Sequence, residues 1–435
     1  MKKLDLTKGN VTKVILSLAI PIMGSSLLQF SYNLVDMLCV GSLGSNAVAS
    51  IGSSSFFIGL GYSINALVVI GTGIKVAHAI GSKNDLDIKK YINSGILVNL
   101  IISLIYCSIL VFGGKFLIGF LKLNNSEVEV KAYWYLAING PNMVFIFFNT
   151  LYTRILNSYG NNKSALKINA IGIVINIILN PIFIYGLKLG VIGSAIATLI
   201  SNIILFLIFR YRGKHIFRYD FNISIDLGKI KEIIVLGFPM AFQRVLFTLV
   251  NIVLARIIAI FGSDAIAAQK IGLQIESITF MIIGGLNGAV SSFSGQNFGA
   301  KKLERVLQGY KSSIKIAVIY SIITTTVFIF FPEFLSKIFI RDSNTIKLSS
   351  EYLRIIAISQ VFSAVEMVSN GLFTGVGEPK IPAYISIIFT TLRIPMALLF
   401  VNFIGVSGIW LSISLSSVFK GIAAYVLYII KFNIG

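Results

Sequence analysis

Acidic residues are scarce in this chain. Asp and Glu number 17 in 435 residues, against 37 Lys and Arg, and charged residues of all kinds make up only 12%. With 56% of residues hydrophobic and a mean hydropathy of +0.86, the sequence holds more apolar surface than a soluble core can absorb. Cysteine is nearly absent. Cys39 and Cys107 both lie in apolar runs, read as small packing residues, and exclude a disulfide framework or thiolate metal cluster. The histidines, His78 and His215, are isolated, which excludes a zinc site. There is no G-x-x-x-x-G-K-[ST] run, and the GTG at Gly71 and GVG at Gly375 follow no strand. ATP-driven chemistry within the chain is therefore not expected, and no cofactor is implied. The first apolar stretch has full span length and no small-residue cleavage site after it, so it reads as a span rather than a signal peptide. The net charge of +20 does not point to nucleic acid, because the basic residues fall in short connections between apolar stretches, where topology signals sit.

What is present is a series of long apolar runs. The fold class expected is an all-α polytopic membrane protein of twelve transmembrane helices in two pseudo-symmetric six-helix lobes. The spans are placed at 14–41, 46–73, 92–113, 133–156, 166–186, 190–210, 232–261, 265–290, 313–332, 350–373, 381–402 and 405–430. Alternate connections are rich in Lys and Arg. One side carries Lys2 and Lys3, Lys83 and Lys89, Lys163, Arg210 to Lys231, and Lys301 to Lys311; the other has only a few, such as Lys115, Lys122 and Lys188. The basic side is expected to be cytoplasmic, with both termini, in the cell membrane. Asn124 resembles a glycosylation acceptor, a weak signal without knowledge of the cell.

The longest connection divides the chain into 1–210, a linker at 211–231, and 232–435. The two halves repeat. At a shift of 218, Pro21 meets Pro239, GSNAVA from Gly44 meets GSDAIA from Gly262, and GSK from Gly81 meets GAK from Gly299. GNNK from Gly160 meets GEPK from Gly377 at 217, and GVIG from Gly190 meets GVSG from Gly405 at 215. Two-lobed membrane proteins of this kind are mostly transporters that hold substrate between or within the lobes.

Polar residues inside spans are expensive and mark candidate sites. Gln29, Asn33 and Asp36 share one face of the first span. Asn251 matches Asn33 at the 218 shift, but Leu254 takes the place of Asp36, so this acid belongs to one half only. In the fifth span Asn176 and Asn180 are four apart, and Pro181 frees the carbonyl of Ile177. Ser194 and Thr198 share a face of the sixth. With Asp36 these groups make either an oxygen cage for a hard cation or a set of helix–helix hydrogen bonds. The second half holds Glu276 and Glu366, cavity acids or members of structural ion pairs; Arg244 is placed where it can pair with Glu366. Pro21, Pro239 and Pro181 are candidate hinges, and aromatic residues offer surfaces for an organic cation.

The chain resembles the multidrug and toxic compound extrusion (MATE) family over nearly its whole length. The resemblance rests on the Pro21…Asp36 spacing, VDMLCVGSLG from Val35, the basic GSK and GQNFGAKK loops, and N-x-x-x-N-P in the fifth span. It implies a non-enzymatic secondary antiporter that exports small organic, often cationic, compounds in exchange for Na⁺ or H⁺, working as a monomer in the bilayer. It also implies that Asp36, Asn176, Asn180 and Thr198 form the ion site. Some relatives carry aspartate where this chain has Asn180, so a two-acid proton relay is not implied here. The alternatives are a flippase for lipid-linked oligosaccharides, whose cavities tend to be basic, and a membrane-embedded transferase, which needs larger extramembrane loops than these.

Overall fold

The structure is a computed structural model that describes residues 5–121, 123 and 125–432. Lys2, Lys3, Lys122 and Asn124, named above, lie outside the described residues. The long helices are α1 Val11–Gly41, α2 Ser45–Gly81, α3 Asp85–Phe112, α4 Ser126–Ser158, α5 Asn162–Pro181, α6 Gly190–Arg212 and α7 Leu227–Ala259. They continue with α8 Ser263–Gly299, α9 Leu303–Phe330, α10 Ser343–Ala357, α11 Gln360–Gly375, α12 Lys380–Thr391, α13 Arg393–Ile404 and α14 Val406–Phe432. A π turn, Ile182–Gly186, prolongs α5.

Ten helical segments are long and apolar enough to cross a membrane, or eleven when α10 and α11, bent by 56° at their junction, count as one. The twelfth expected span, 133–156, lies inside α4, a continuous helix of 33 residues that is long enough to cross but less apolar than the others. Asn139, Asn142, Asn149 and Arg154 lower its hydropathy. Its apolar and amide side chains are sunk among α2, α3 and α6 rather than turned outward. At the repeat shift, Pro141 of α4 corresponds to the break between α10 and α11. One half keeps the helix unbroken with a proline, and the other breaks it without one.

The chain forms two compact units, but not by a simple cut at 211–231. One is built on Gly24–Ala241, and the other on Leu6–Met23 with Phe242–Gly435. The first part of α1 therefore belongs to the second unit, and the first part of α7 to the first. Both crossovers come just after Pro21 and Pro239, at positions related by the same 218 shift.

Small residues let these exchanged segments pack closely. In unit 1, Gly71 of α2 lies against the carbonyl of Ile233, and Gly237 of α7 against the carbonyl of Leu67, so a Cβ at either place collides with backbone. In unit 2, Gly285 of α8 lies against Met23 and the carbonyl of Ala19. Ile15, Leu18 and Ala19 are fully enclosed there with Ile283, Leu286, Ala289 and Val290. Polar clamps complete the anchoring. In unit 2, Arg305 donates to the carbonyls of Lys8 at 2.7 Å and Gly9 at 2.8 Å, and Lys302 donates to Thr7. In unit 1, ion pairs join Lys75 to Glu232 at 2.5 Å, Lys229 to Asp87 at 3.2 Å and Lys90 to Asp226 at 3.4 Å. The linker is pinned further by Asn93, which donates to the carbonyl of Asp220 at 2.9 Å.

The repeat extends to the backbone. Gly44 and Gly262 precede α2 and α8 with φ of 94° and 93°, a region that glycine enters without a Cβ penalty. Lys83 and Lys301, which end the same two helices, both have φ of 58°. There the amides of Asn84 and Lys302 close back on the carbonyls of Ala79 and Asn297.

Candidate functional site

Asp36 sits half-buried on α1, within unit 1. Its carboxylate accepts a 2.9 Å hydrogen bond from Asn180 Nδ2 and a longer one, 3.4 Å, from Ser194 Oγ, both at Oδ1. Asn180 also donates to Asn176 Oδ1 at 2.8 Å, and Asn176 Nδ2 donates to Thr198 Oγ1 at 3.2 Å. Five candidates from three helices thus form one continuous network. The i, i+4 spacing puts the two asparagines on one face, where Asn176 reaches α6 and Asn180 reaches α1, and Pro181 ends the regular helix directly behind them. The π turn that follows, closed by Leu187 N–H on the Ile182 carbonyl, shows where the proline disturbs the ladder.

Asn180 uses both its amide hydrogens, yet its Oδ1 is buried with no partner. A buried acceptor left unpaired costs free energy until a donor, a water or a cation reaches it. Asp36, Asn180 Oδ1, Asn176 Oδ1 and the Ser194 and Thr198 hydroxyls are hard oxygen donors, the chemistry that suits Na⁺. A proton on Asp36 is the simpler way to discharge the same group. Tyr32, four residues before Asp36, and Tyr135 of α4 both lie within electrostatic range of it. Sequence reasoning missed both; the four-residue spacing of Tyr32 was the available signal.

Other candidates fall elsewhere. Gln29 donates to Asn33 at 3.3 Å, and both are exposed. They share a helical face with Asp36, Asn33 less than one turn from it and Gln29 about two, and among the described residues no hydrogen bond joins them to the network. Asn251 is half-buried in unit 2, and among the described residues no hydrogen bond joins it to another candidate. Glu276 is 6% exposed and accepts from the Tyr352 hydroxyl at 3.0 Å and Gln360 Nε2 at 3.3 Å. Glu366 accepts from Asn370 at 3.4 Å. The suggested pairing of Glu366 with Arg244 is not found among the described residues.

The comparisons with known proteins bear on the family and the fold. The MatE family profile matches twice, over residues 21–182 and 239–399, once in each half. The chain belongs to the MATE family of multidrug efflux transporters. Two relatives are similar along nearly their whole length. The probable multidrug resistance protein YpnP of Bacillus subtilis is 28% identical, covering 98% of this chain and 97% of its own. The probable multidrug resistance protein NorM of Thermotoga maritima is 25% identical, covering 94% and 90%. A MATE transporter crystallised with MaL6 superposes with a TM-score of 0.94 over 100% of this chain and 99% of that one, at 22% identity, which shows that the fold is shared. This MATE protein is an all-helical, multi-pass membrane transporter and not an enzyme.

Proposed function

We propose that this MATE protein exports small organic compounds across the cell membrane in exchange for Na⁺ or H⁺, with Asp36 as the group that takes up the ion. The observation that carries this reading is the orphaned Asn180 Oδ1 beside the one carboxylate of the network. A proton bound to Asp36 or a Na⁺ held between Asp36 and the amide oxygens neutralises the same charge, so the two ions compete. Ion entry weakens substrate binding by the same coupling free energy with which substrate displaces the ion.

Alternating access is supported by Pro21 and Pro239. Each frees a carbonyl one turn back, at Ser17 and Val235, and the unit to which the helix belongs changes just beyond each proline. The Lys and Arg bias supports cytoplasmic termini and a cytoplasmic linker. Phe221, 89% exposed, suits a test of sidedness. A Phe221→Cys substitution in a cysteine-free chain should resist an impermeant thiol reagent added to intact cells, and labelling from outside would invert the topology. The abundance of aromatic residues favours a cationic substrate; Arg393 and Lys420 of unit 2 add a second kind of recognition, described below.

The coupling reading is tested by substrate flux in proteoliposomes, with Na⁺ and pH gradients imposed separately. At least one gradient should drive flux in the wild type, and Asp36→Asn should abolish the driven component while keeping insertion and expression. Driven flux unimpaired in Asp36→Asn would move the coupling site elsewhere.

A further inference from the structure

Unit 2 buries two cations against one aromatic ring. Arg393, at the start of α13, is 6% exposed, and Lys420, on α14, is 4% exposed. The Arg393 guanidinium carbon stands 5.7 Å from the centroid of the Phe247 ring, and Lys420 Nζ stands 6.0 Å from it. Their hydrogen-bond partners are neutral hydroxyls: Ser416 at 2.9 Å from Arg393 Nε, Ser417 at 3.4 Å from Nη2, and Ser386 at 3.4 Å from Lys420 Nζ. No carboxylate comes within 4.0 Å of either cation among the described residues. Glu366 acts electrostatically on both and Glu276 on Arg393, from beyond ion-pair contact, and Glu276 is already engaged by Tyr352 and Gln360.

A guanidinium has five N–H donors and an ammonium three, so three hydroxyls leave most of this capacity unused. Buried charges kept apart from their counter-ions cost folding energy that a structural role alone does not recover. The arginine fork matches a carboxylate or phosphate through two parallel bonds, and the lysine adds a point charge. Phe247 itself is 40% exposed, so one part of its ring is open to an apolar group.

We propose that Arg393, Lys420 and Phe247 form an organic-anion subsite in unit 2, which takes the carboxylate or phosphate of an aromatic or amphipathic compound. The anion bridges Arg393 and Lys420, and its apolar body lies along Phe247. Glu366 competes with the ligand for the two cations and sets the affinity of the empty site. The subsite deepens the transport reading by naming a substrate class, anionic or zwitterionic molecules.

Equilibrium binding of radiolabelled benzoate and of phenyl phosphate to the purified full chain tests this without any ion gradient. Neutral benzamide serves as the control. Saturable binding of at least one anion, with benzamide at least about tenfold weaker, is expected from loss of the charge-assisted bonds. Lys420→Gln should weaken anion binding about tenfold or more. Arg393 also ties α13 to α14, so Arg393→Lys is preferred to a neutral substitution; it keeps the charge but loses the fork, and should also weaken binding. Glu366→Gln should tighten anion binding severalfold, whereas a merely structural counter-ion would, on removal, lower thermal stability and leave binding unchanged. No saturable anion binding, equal binding of benzamide, or indifference to both Lys420→Gln and Glu366→Gln overturns the subsite. Because nothing here depends on a gradient, loss of ion coupling with anion binding intact would count against the Asp36 reading alone.

Discussion

Units 1 and 2 carry the same repeated pattern, yet they treat buried charge in opposite ways. The polar network of unit 1 has a single charged group, Asp36, surrounded by neutral amides and hydroxyls. That of unit 2 has two cations, Arg393 and Lys420, with Glu276 and Glu366 at longer range. At the 217 shift of the GNNK and GEPK loops, Asn176 corresponds to Arg393. Each reaches across to a hydroxyl on the helix that follows, Thr198 in one case and Ser416 in the other. At the 218 shift, Asp36 corresponds to Leu254, which is 0% exposed and packed with Val250, Ile258, Ala265 and Ile409. One architecture thus carries a carboxylate among amide and hydroxyl oxygens in one unit and a pair of buried cations in the other.

The sharpest way to break this comparison is to exchange the residues that make it. Leu254→Asp puts a carboxylate among the apolar side chains of Val250, Ile258, Ala265, Ala397 and Ile409. Loss of about 4 kcal/mol or more is expected, as for an uncompensated buried charge. It would be seen as failed expression or a collapsed melting transition. Asp36→Leu should fold normally and lose ion-driven transport, so the two exchanges are not equivalent.

A smaller contrast concerns the clamps on the exchanged helix segments. Arg305→Ala removes a guanidinium that bonds the carbonyls of Leu6, Lys8 and Gly9, and should destabilise unit 2 by about 2 kcal/mol. Lys229→Ala removes one member of a charge network in which Lys75 and Glu232 remain, and should cost about 1 kcal/mol or less. Thermal melts of the two variants, followed beside the wild type, check the order.

Within unit 1, Asn180→Ala removes the donor to Asp36 and the orphaned oxygen together. Ion affinity should fall about tenfold, the size of one charge-assisted hydrogen bond. An unchanged affinity would reduce Asn180 to a packing role.

The smallest effect is in the linker. Backbone N–H of Asn222, and then Lys89, hold the Asp220 carboxyl below its usual range; backbone N–H of Lys229 does the same for Asp226. Groups lowered on folding contribute stability above their unfolded pKa, about 4, and lose it as pH falls through the folded value. Cleavage of the 211–226 segment by an acid-tolerant protease should therefore increase only below about pH 4. An increase on raising the pH instead would contradict this.

Much of this arrangement was legible in the sequence because it follows from local spacing. Asn176 and Asn180 are four apart, so they share one helical face, and Pro181 had to disturb the helix behind them. The repeat was visible because Gly44, Gly262, Lys83 and Lys301 occupy turns whose backbone demands recur. What the sequence hid depends on which helices meet. Nothing local says that the first part of α1 joins unit 2, since Gly71, Gly237 and Gly285 become crossing points only once their partners are known. Gln29 and Asn33 share the face of Asp36 on α1 but bond to each other, a pairing that their four-residue spacing allows. Arg393 and Lys420 are 27 positions apart and meet only through the packing of α13 on α14. The helix expected over 133–156 is present as α4, but its buried amides make it less apolar than the other spans, which length alone does not reveal.

The central claim, that ion binding resides in unit 1 at one carboxylate, is tested most directly by equilibrium binding of ²²Na⁺ and by proton uptake. Both are measured on the purified full chain, with wild type, Asp36→Asn, Glu276→Gln and Glu366→Gln compared side by side. The wild type and both glutamate variants should bind one of the two ions with similar affinity, and Asp36→Asn should bind neither at that site. Wild-type binding by Asp36→Asn, with loss in Glu276→Gln or Glu366→Gln, would contradict the claim and place the ion in unit 2.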